Sequence, residues 1–340
     1  SVKSTMALFN FFGARTPSAS LGVDIGTASL KVVEVKRGRQ LPEIANYGFL
    51  DAADYAGRAN SAIQTSTLKI FDDEMIEILK AVVAQVKPST REAFASLPTF
   101  SSFITVLNFP DMTAVELQKS IALQARQYIP LPLSEVALDW LKVGESETAD
   151  GRREQQVLLI SVPQEQIHKY QRIFKAAGLT LKVLEVESLS AARVLVGNDP
   201  TPTIILDIGS YSSNISFVQN GQLKYNSQTD TAGAALTQKL ATNLNINLRR
   251  AEELKREKGI SGGGADYELS TLMIPILDVI ISEVKKAEFN YHTQFPTAPK
   301  TERVILSGGT ANLKGIDKYV SRELGIPARV GIQKTLLTCR

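Results

Sequence analysis

The chain has 340 residues, 44 % of them hydrophobic and 21 % charged, with a formal net charge of +3. This composition fits about two globular domains. It excludes disorder, which lacks the apolar surface to offset chain entropy, and nucleic-acid binding, which needs a concentrated cationic face. One cysteine, Cys339, excludes an internal disulfide or a cysteine-based zinc site, and two histidines, His168 and His292, argue against a histidine-rich metal site.

In chain order, the apolar patch Ala7 to Phe12 is too short for a secretory signal core and reads as a tail, with a docking or membrane-surface segment as alternatives. Leu21 to Val35 reads as strand, tight turn, strand: Leu21, Val23 and Ile25 alternate, and Leu30, Val32 and Val33 resume after small residues. Gly38 closes the hairpin. Asp72 to Gln85 predicts a helix with Met75, Ile76, Leu79, Val82, Val83 and Val86 on one face. Its acidic start suits a helix N-terminus. Ala93 to Thr99 and Phe103 to Phe109 read as strands. Thr113 to Tyr128 reads as a helix opened by a Thr113–Glu116 capping box and ended by Ile129-Pro130-Leu131-Pro132. Val136 to Val143 and Gln156 to Val162 are strands, and Gln164 to Ala177 is a helix closed by Gly178. The block at about 91–165 reads as an inserted subdomain.

Leu181 to Glu187 is a strand and Ser188 to Val196 a short helix. Thr203 to Val218 is again strand, turn, strand, with Gly221 in its hairpin. Ala234 to Asn245, Arg249 to Lys258 and Thr271 to Tyr291 are helical, with Gly262-Gly263-Gly264 as a loop. Arg303 to Ser307 is a strand running into Gly308-Gly309, and Ile316 to Leu324 a helix. A membrane-spanning helix needs about 20 apolar residues, and the late apolar stretch Leu272 to Leu277 is interrupted by Pro275. A cytoplasmic chain is expected. His168, His292 and Trp140 read as surface, helix-end and core residues.

The main functional signal is an internal repeat. Asp24-Ile25-Gly26-Thr27 and Asp207-Ile208-Gly209-Ser210 each end an apolar run and feed a second strand. Gly38 and Gly221 each follow their aspartate by 14 positions. Matched turns at equal offsets imply two related halves. Glycine lets backbone N–H groups approach a phosphate, and Thr27 or Ser210 adds a hydroxyl donor. Asp24 and Asp207 suit the water shell of a Mg²⁺ ion, which keeps several waters. Two such turns are expected to clamp a nucleotide tail. Further on, Gly308 and Gly309 would let a flat base or ribose lie against the backbone.

This order of motifs resembles the actin/Hsp70/sugar-kinase ATPase superfamily, and within it the FtsA-like PilM family of type IV pilus assembly. The carrying stretches are LGVDIGTASLKVVEV, LNFPDMTAVELQKSIALQARQYIPLPLSEVALDW, LEVESLSAARVL, IILDIGSYSSNISFV, RRAEELK and VILSGGTANLKGI. The proline-bearing QYIPLPLSEVALDW is the most family-specific. The resemblance implies an α/β, actin-like ATPase fold: two related halves around a nucleotide cleft, with an FtsA-type inserted subdomain. Residues 1–19 would be a tail, 20–90 with 166–200 the first half, 91–165 the insertion, and 201–340 the second half.

By the same resemblance ATP and Mg²⁺ would be bound. Asp24, Gly26 and Thr27, with Ser29 and Lys31 nearby, match the first phosphate turn. Asp207, Gly209 and Ser210, with Asn214, match the second. Gly233 lies in a loop that approaches phosphate, Glu252 and Lys255 match the helix facing ribose and base, and Gly308, Gly309 and Thr310 match the adenosine turn. Glu187 matches a water-positioning carboxylate and reads equally as a structural one. Tyr211-Ser212-Ser213 and Ala232-Gly233-Ala234 are poorer in glycine than strong ATPases, which implies weak ATPase activity at most. Val330 to Arg340 departs from the family's usual ending.

The implied role is an ATP-binding protein peripheral to the inner membrane. It would bind the cytoplasmic N-terminal peptide of a PilN-type bitopic membrane protein and contact other pilus platform proteins, with self-association left open. Two alternatives stand beside it. A scaffold with a degenerate nucleotide site follows from the substituted glycines. A small-molecule kinase of the same superfamily lacks an acceptor base in the sequence.

Overall fold

The computed structural model describes residues 18–38, 41–51, 72–147, 151–260, 265–331 and 338–339. The sequence readings at Ala7 to Phe12, at Gly262 to Gly264 and over most of 332–340 lie outside these residues. The chain forms two compact units: Ser1–Ser190 with Gln333–Arg340, and Ala191–Ile332.

The first unit contains β1 (Ala19–Ile25), β2 (Ser29–Lys36), β3 (Glu43–Asp51), α1 (Asp72–Val86) and β4 (Glu92–Leu97). A 3₁₀ turn at Thr99–Ser101 leads into β5 (Phe103–Pro110), α2 (Ala114–Tyr128), β6 (Val136–Glu147) and β7 (Arg153–Pro163). Then come α3 (Gln164–Ala176), β8 (Thr180–Val186) and the first turn of α4 (Glu187–Leu195), whose remainder from Ala191 belongs to the second unit. The principal sheet has the order β14-β3-β2-β1-β4-β8, where β14 (Thr338–Cys339) lies parallel to the start of β3. The expected second half, 201–340, therefore gives this strand to the first unit's sheet.

Every second residue of β1 is buried, as a strand with one strongly packed face requires. Helix α1 buries Met75, Ile78, Leu79, Val82 and Val83. Ile78 thus takes the inward place assigned from sequence to Ile76, which is half-buried along with Val86. The helix seats directly on β3. A Cβ at Gly48 would lie 2.5 Å from Val86 Cγ2, so this glycine is what permits the close approach.

The insertion is a three-stranded antiparallel sheet, β5-β7-β6, whose strands span Phe103 to Pro163. Strand β4, inside the 91–165 block read from sequence, instead pairs in parallel with β1 and β8. Helix α2 opens with the expected capping box, Thr113 and Glu116 bonding reciprocally. It buries Leu117, Ile121 and Ala125 against Phe109, Val157 and Leu159, and Trp140 packs at the margin. Each such fully buried large apolar side chain contributes about 1.5–3 kcal/mol.

The second unit contains β9 (Thr203–Ile208), β10 (Ser213–Gln219), β11 (Gln222–Thr229), α5 (Gly233–Leu244) and α6 (Leu248–Lys258). Next are α7 (Ala265–Gln294), β12 (Arg303–Ser307), a 3₁₀ turn at Gly309–Asn312, α8 (Ile316–Leu324) and β13 (Ala328–Val330). Its sheet order is β11-β10-β9-β12-β13. Four of the six residues of β9 are buried in succession, Thr203 to Leu206, because both faces of this central strand are covered. Asn220 and Gly221, both with positive φ, form the tight β10–β11 turn. Helix α7 buries Met273, Leu277, Ile280 and Val284, and its Tyr291 ring lies 4.7 Å from that of Phe217.

The repeat seen in sequence extends to topology. In each unit the aspartate-bearing strand pairs antiparallel with the next strand, and that one antiparallel with the third. On its other side the aspartate strand has a parallel neighbour, which has a further parallel neighbour.

Candidate functional site

In the first unit, Asp24 stands one residue from the end of β1. Its Oδ1 accepts a hydrogen bond from Ser96 Oγ on β4 at 2.6 Å, and its Oδ2 pairs with Lys31 Nζ at 2.8 Å. The turn is closed by Gly26 N–H donating to the Ser29 carbonyl at 2.9 Å. A Cβ at Gly26 would come within 3.0 Å of that oxygen. Thr27 and Ser29 are half-buried beside it.

Glu187 opens α4 and accepts the backbone N–H of Thr99 at 2.9 Å. Tyr170 of α3 is buried. Burial first, then the charges of Asp24 and Glu187, push its hydroxyl well above the ordinary tyrosine range. Asp24, Ser96 and Glu187 thus stand at the carboxyl ends of β1, β4 and β8, where open α/β sheets bind ligands. Thr99 Oγ1 and Ser188 Oγ are buried nearby in sequence with no hydrogen-bond partner among the described residues. Ser96, Thr99 and Tyr170 were not legible as site residues. They carry no motif, and only parallel strand pairing brings Ser96 to Asp24.

The second unit repeats the turn's closing backbone bond and its register. Gly209 N–H donates to the Ser212 carbonyl at 3.0 Å. Across the antiparallel pair, Asp24 faces Lys31 and Asp207 faces Asn214. Across the parallel pair, Asp24 faces Ser96 and Asp207 faces Ser307.

Here the structure brings most of the sequence-predicted residues together. The Gly209 carbonyl accepts from Gly233 N–H at 3.1 Å and from Thr310 Oγ1 at 3.2 Å, while the Ser210 carbonyl accepts from Ala234 N–H at 2.7 Å. The start of α5 is thereby tied to the Asp207–Ser210 turn and to the Gly308-Gly309-Thr310 segment. A Cβ at Gly233 would lie 2.4 Å from Thr310 Oγ1. Gly308 has φ +81°, and a Cβ there would lie 2.4 Å from the Ile208 carbonyl and 2.9 Å from Asp207 Oδ1. Gly309 differs. A Cβ there meets nothing within 4 Å, so this glycine leaves an open face and is not demanded by packing.

Lys255 turns inward. Its ammonium donates to the Gly233 carbonyl at 3.1 Å and to Thr237 Oγ1 at 2.9 Å, and pairs with Glu252 Oε2 at 2.7 Å. That uses all three of its donors. Burial lowers its pKa, opposed by Glu252. Burial alone would raise the Glu252 carboxyl, but hydrogen bonds from Lys255 and Thr237 outweigh it and hold the group below the usual range. Thr237 is a further residue that sequence reading missed. Asn214 is buried on β10.

Among the described residues no group of three His, Cys, Asp or Glu side chains is placed to hold a metal ion. Single carboxylates such as Asp24 and Asp207 fit a hydrated Mg²⁺, whose remaining ligands are water and phosphate.

Duplicated sheets with matched turns define an actin-like ATPase fold. The chain superposes on the EutJ ethanolamine utilization protein of Carboxydothermus hydrogenoformans with a TM-score of 0.59 at 20 % identity, covering 94 % of this chain and 86 % of that one. On MreB5 of Spiroplasma citri bound to AMPPNP the TM-score is 0.55 at 13 % identity, covering 93 % and 92 %. On a chain of the PilM–PilN type IV pilus biogenesis complex it is 0.75 at 20 % identity, covering 94 % and 90 %. In sequence the chain is 22 % identical to the cell division protein FtsA of Enterococcus hirae over 365 aligned residues, covering 94 % of this chain and 80 % of FtsA. The family described as type IV pilus assembly protein PilM matches residues 22–333, and the chain belongs to that family. No helix among the described residues is long and apolar enough to cross a membrane.

Proposed function

We propose that the chain is an ATP-binding component of the type IV pilus assembly platform, peripheral to the inner membrane, that engages the cytoplasmic N-terminal peptide of a PilN-type membrane protein. The matched register of the two turns carries this reading: aspartate, a glycine closing on the residue three positions on, and a serine across the parallel pair recur in both units. Two unrelated hairpins would have no reason to share all three.

In this reading the backbones of the Gly26-Thr27 and Gly209-Ser210 turns receive phosphate oxygens, with Ser29 and the half-exposed Lys31 beside the first. The open face at Gly309 receives the adenosine, and Gly233, Glu252 and Lys255 hold the shape of that segment. Asp24 and Asp207 would hold Mg²⁺ through its waters. The ion supplies neutralisation of phosphate charge. Glu187 would orient a water, its carboxylate already fixed by Thr99. The peptide would lie between the first half and the inserted sheet, and nucleotide would shift the population of conformations that bind it.

Calorimetry with Mg-ATP tests the nucleotide part. Asp24→Ala and Asp207→Ala are expected to weaken binding, and unchanged affinity in both variants removes the reading. A second reading, a scaffold with a degenerate site, draws on the full engagement of Asp24 and Lys255 by protein groups. Peptide capture with no heat from ATP would select it.

A further inference from the structure

At the other end of the first unit's sheet, toward the amino end of β4, lies a cavity of about 370 Å³. Val83, Ala84, Pro88 and Ala177 form its apolar walls, and Lys80, Lys87 and Arg91 line it. Among the described residues no carboxylate lines it. Lys80 pairs with Glu77 at 2.9 Å, and Glu92, next to Arg91, is held by Lys182 at 2.9 Å. Among the described residues the side chains of Lys87 and Arg91 have no acidic partner.

Lys87 is the second observation. It follows α1, donates its N–H to the Val83 carbonyl at 3.0 Å, and has φ +48°. A left-handed residue after a helix is usually glycine, since a Cβ there crowds the neighbouring carbonyl oxygen. Pro88 follows, which further restricts the backbone of the residue before it. Among the described residues this molecule uses Gly178, Gly197, Gly259, Gly325 and Asn245 at the corresponding positive-φ positions after other helices. Only at 87 does a long cationic side chain occupy the strained position, and there it lines the cavity. Backbone strain of this kind is kept where the side chain has a task.

We infer that this cavity binds a phosphate group, carried by a lipid headgroup or a soluble phosphate ester. Two cations without an acidic partner, with the paired Lys80 beside them, match a doubly charged anion; a single carboxylate would leave one of the two unneutralised. Arg91 supplies the planar fork that phosphate accepts. The apolar walls suit the uncharged body attached to the phosphate. Nothing in this assignment depends on the nucleotide reading, because the residues belong to a separate segment from the Asp24 turn.

The test is a titration of ¹⁵N-labelled protein with inorganic phosphate, followed by amide shifts at Lys87, Ser89, Thr90 and Arg91, with equal ionic strength of chloride as control. Saturable shifts confined to these amides are expected. They should weaken about tenfold or more in Lys87→Gly and Arg91→Gln. Lys87→Gly should at the same time hold or raise thermal stability, since it relieves the backbone, so loss of binding cannot be loss of fold. Sedimentation with phosphatidylcholine vesicles, with and without phosphatidylglycerol, separates the sources. Retention on the anionic vesicles that fails in Lys87→Gly assigns a headgroup, and phosphate shifts without retention assign a soluble ester. No localised response to phosphate overturns the inference. So does a response to polyglutamate alone, which would make the patch a protein-docking surface.

Discussion

Gly233→Ala tests how the second unit ties its segments together. The new Cβ would lie 2.4 Å from Thr310 Oγ1 and 3.0 Å from the Gly209 carbonyl. The threonine hydroxyl has to rotate away and lose its bond to that carbonyl, worth about 0.5–1.5 kcal/mol. The carbonyl is backbone and yields less, which adds an overpacking cost of about 1–3 kcal/mol. Alanine's helix propensity returns at most about 1 kcal/mol, leaving a net loss of roughly 1–3 kcal/mol. Thr310→Ala removes the nearer clash, so the double variant should be less destabilised than the sum of the singles by about 1 kcal/mol. The single tryptophan, Trp140, lies in the inserted sheet of the first unit and does not report this region. Hydrogen exchange at the first amides of α5, with urea unfolding followed by circular dichroism, does. Additivity within about 0.5 kcal/mol would refute the packing argument.

Glu34 is buried and accepts hydrogen bonds from Ser89 N–H at 2.8 Å, from Ser89 Oγ and from Asn46 Nδ2 at 2.7 Å. Burial would raise its carboxyl, but these bonds outweigh it and hold the group below its ordinary value of 4.5. A lowered folded pKa means that the stabilisation is complete above the unfolded value and fades as pH falls through the folded one. Thermal melts of Glu34→Gln should therefore lose part of the acid-side decline in stability seen in the parent. Glu34→Ala, which orphans three donors, should cost about 2–4 kcal/mol in urea unfolding. Lys255→Ala should cost about 2–4 kcal/mol, because it unseats Glu252 and the Gly233 carbonyl together. Lys255→Met should recover part of the loss through packing of its stem, and equal melting points for the two would show that the stem contributes nothing.

Much of this was written in short-range pattern. The D-x-G-[ST] turns, the Thr113–Glu116 capping box and strand Arg303–Ser307 need only neighbours in sequence, and the equal spacing of Gly38 and Gly221 already signalled related halves. What the sequence could not show is pairing between distant strands. Ser96 reaches Asp24 because β4 runs parallel to β1, 72 positions away in sequence. Thr237 joins the Lys255–Glu252 pair because α5 and α6 pack. Gly308 and Gly309 look equivalent in sequence, yet a carbonyl fills the space beside one and nothing fills it beside the other. The inward turn of Lys255 belongs to the same class: a lysine in RRAEELKREK reads as solvated until Gly233 and Thr237 stand against it.

The two turns share register but not charge, and this separates the roles of their aspartates. Lys31 sits across from Asp24 and neutralises it at 2.8 Å, whereas a neutral amide, Asn214, occupies the equivalent place opposite Asp207. An ammonium beside a phosphate chain attracts it, whereas a neutral amide adds no charge. If the proposed site binds Mg-ATP, Asp24→Ala releases the Lys31 ammonium toward phosphate and offsets part of its own loss. Asn214, the residue across from Asp207, carries no charge that Asp207→Ala could turn toward phosphate. Calorimetry should then find the larger loss of Mg-ATP affinity in Asp207→Ala, and ATP without Mg²⁺ should bind Asp24→Ala at least as well as the parent. Equal losses in the two variants, in both the presence and the absence of Mg²⁺, would show that the Lys31–Asn214 difference has no bearing on the ligand.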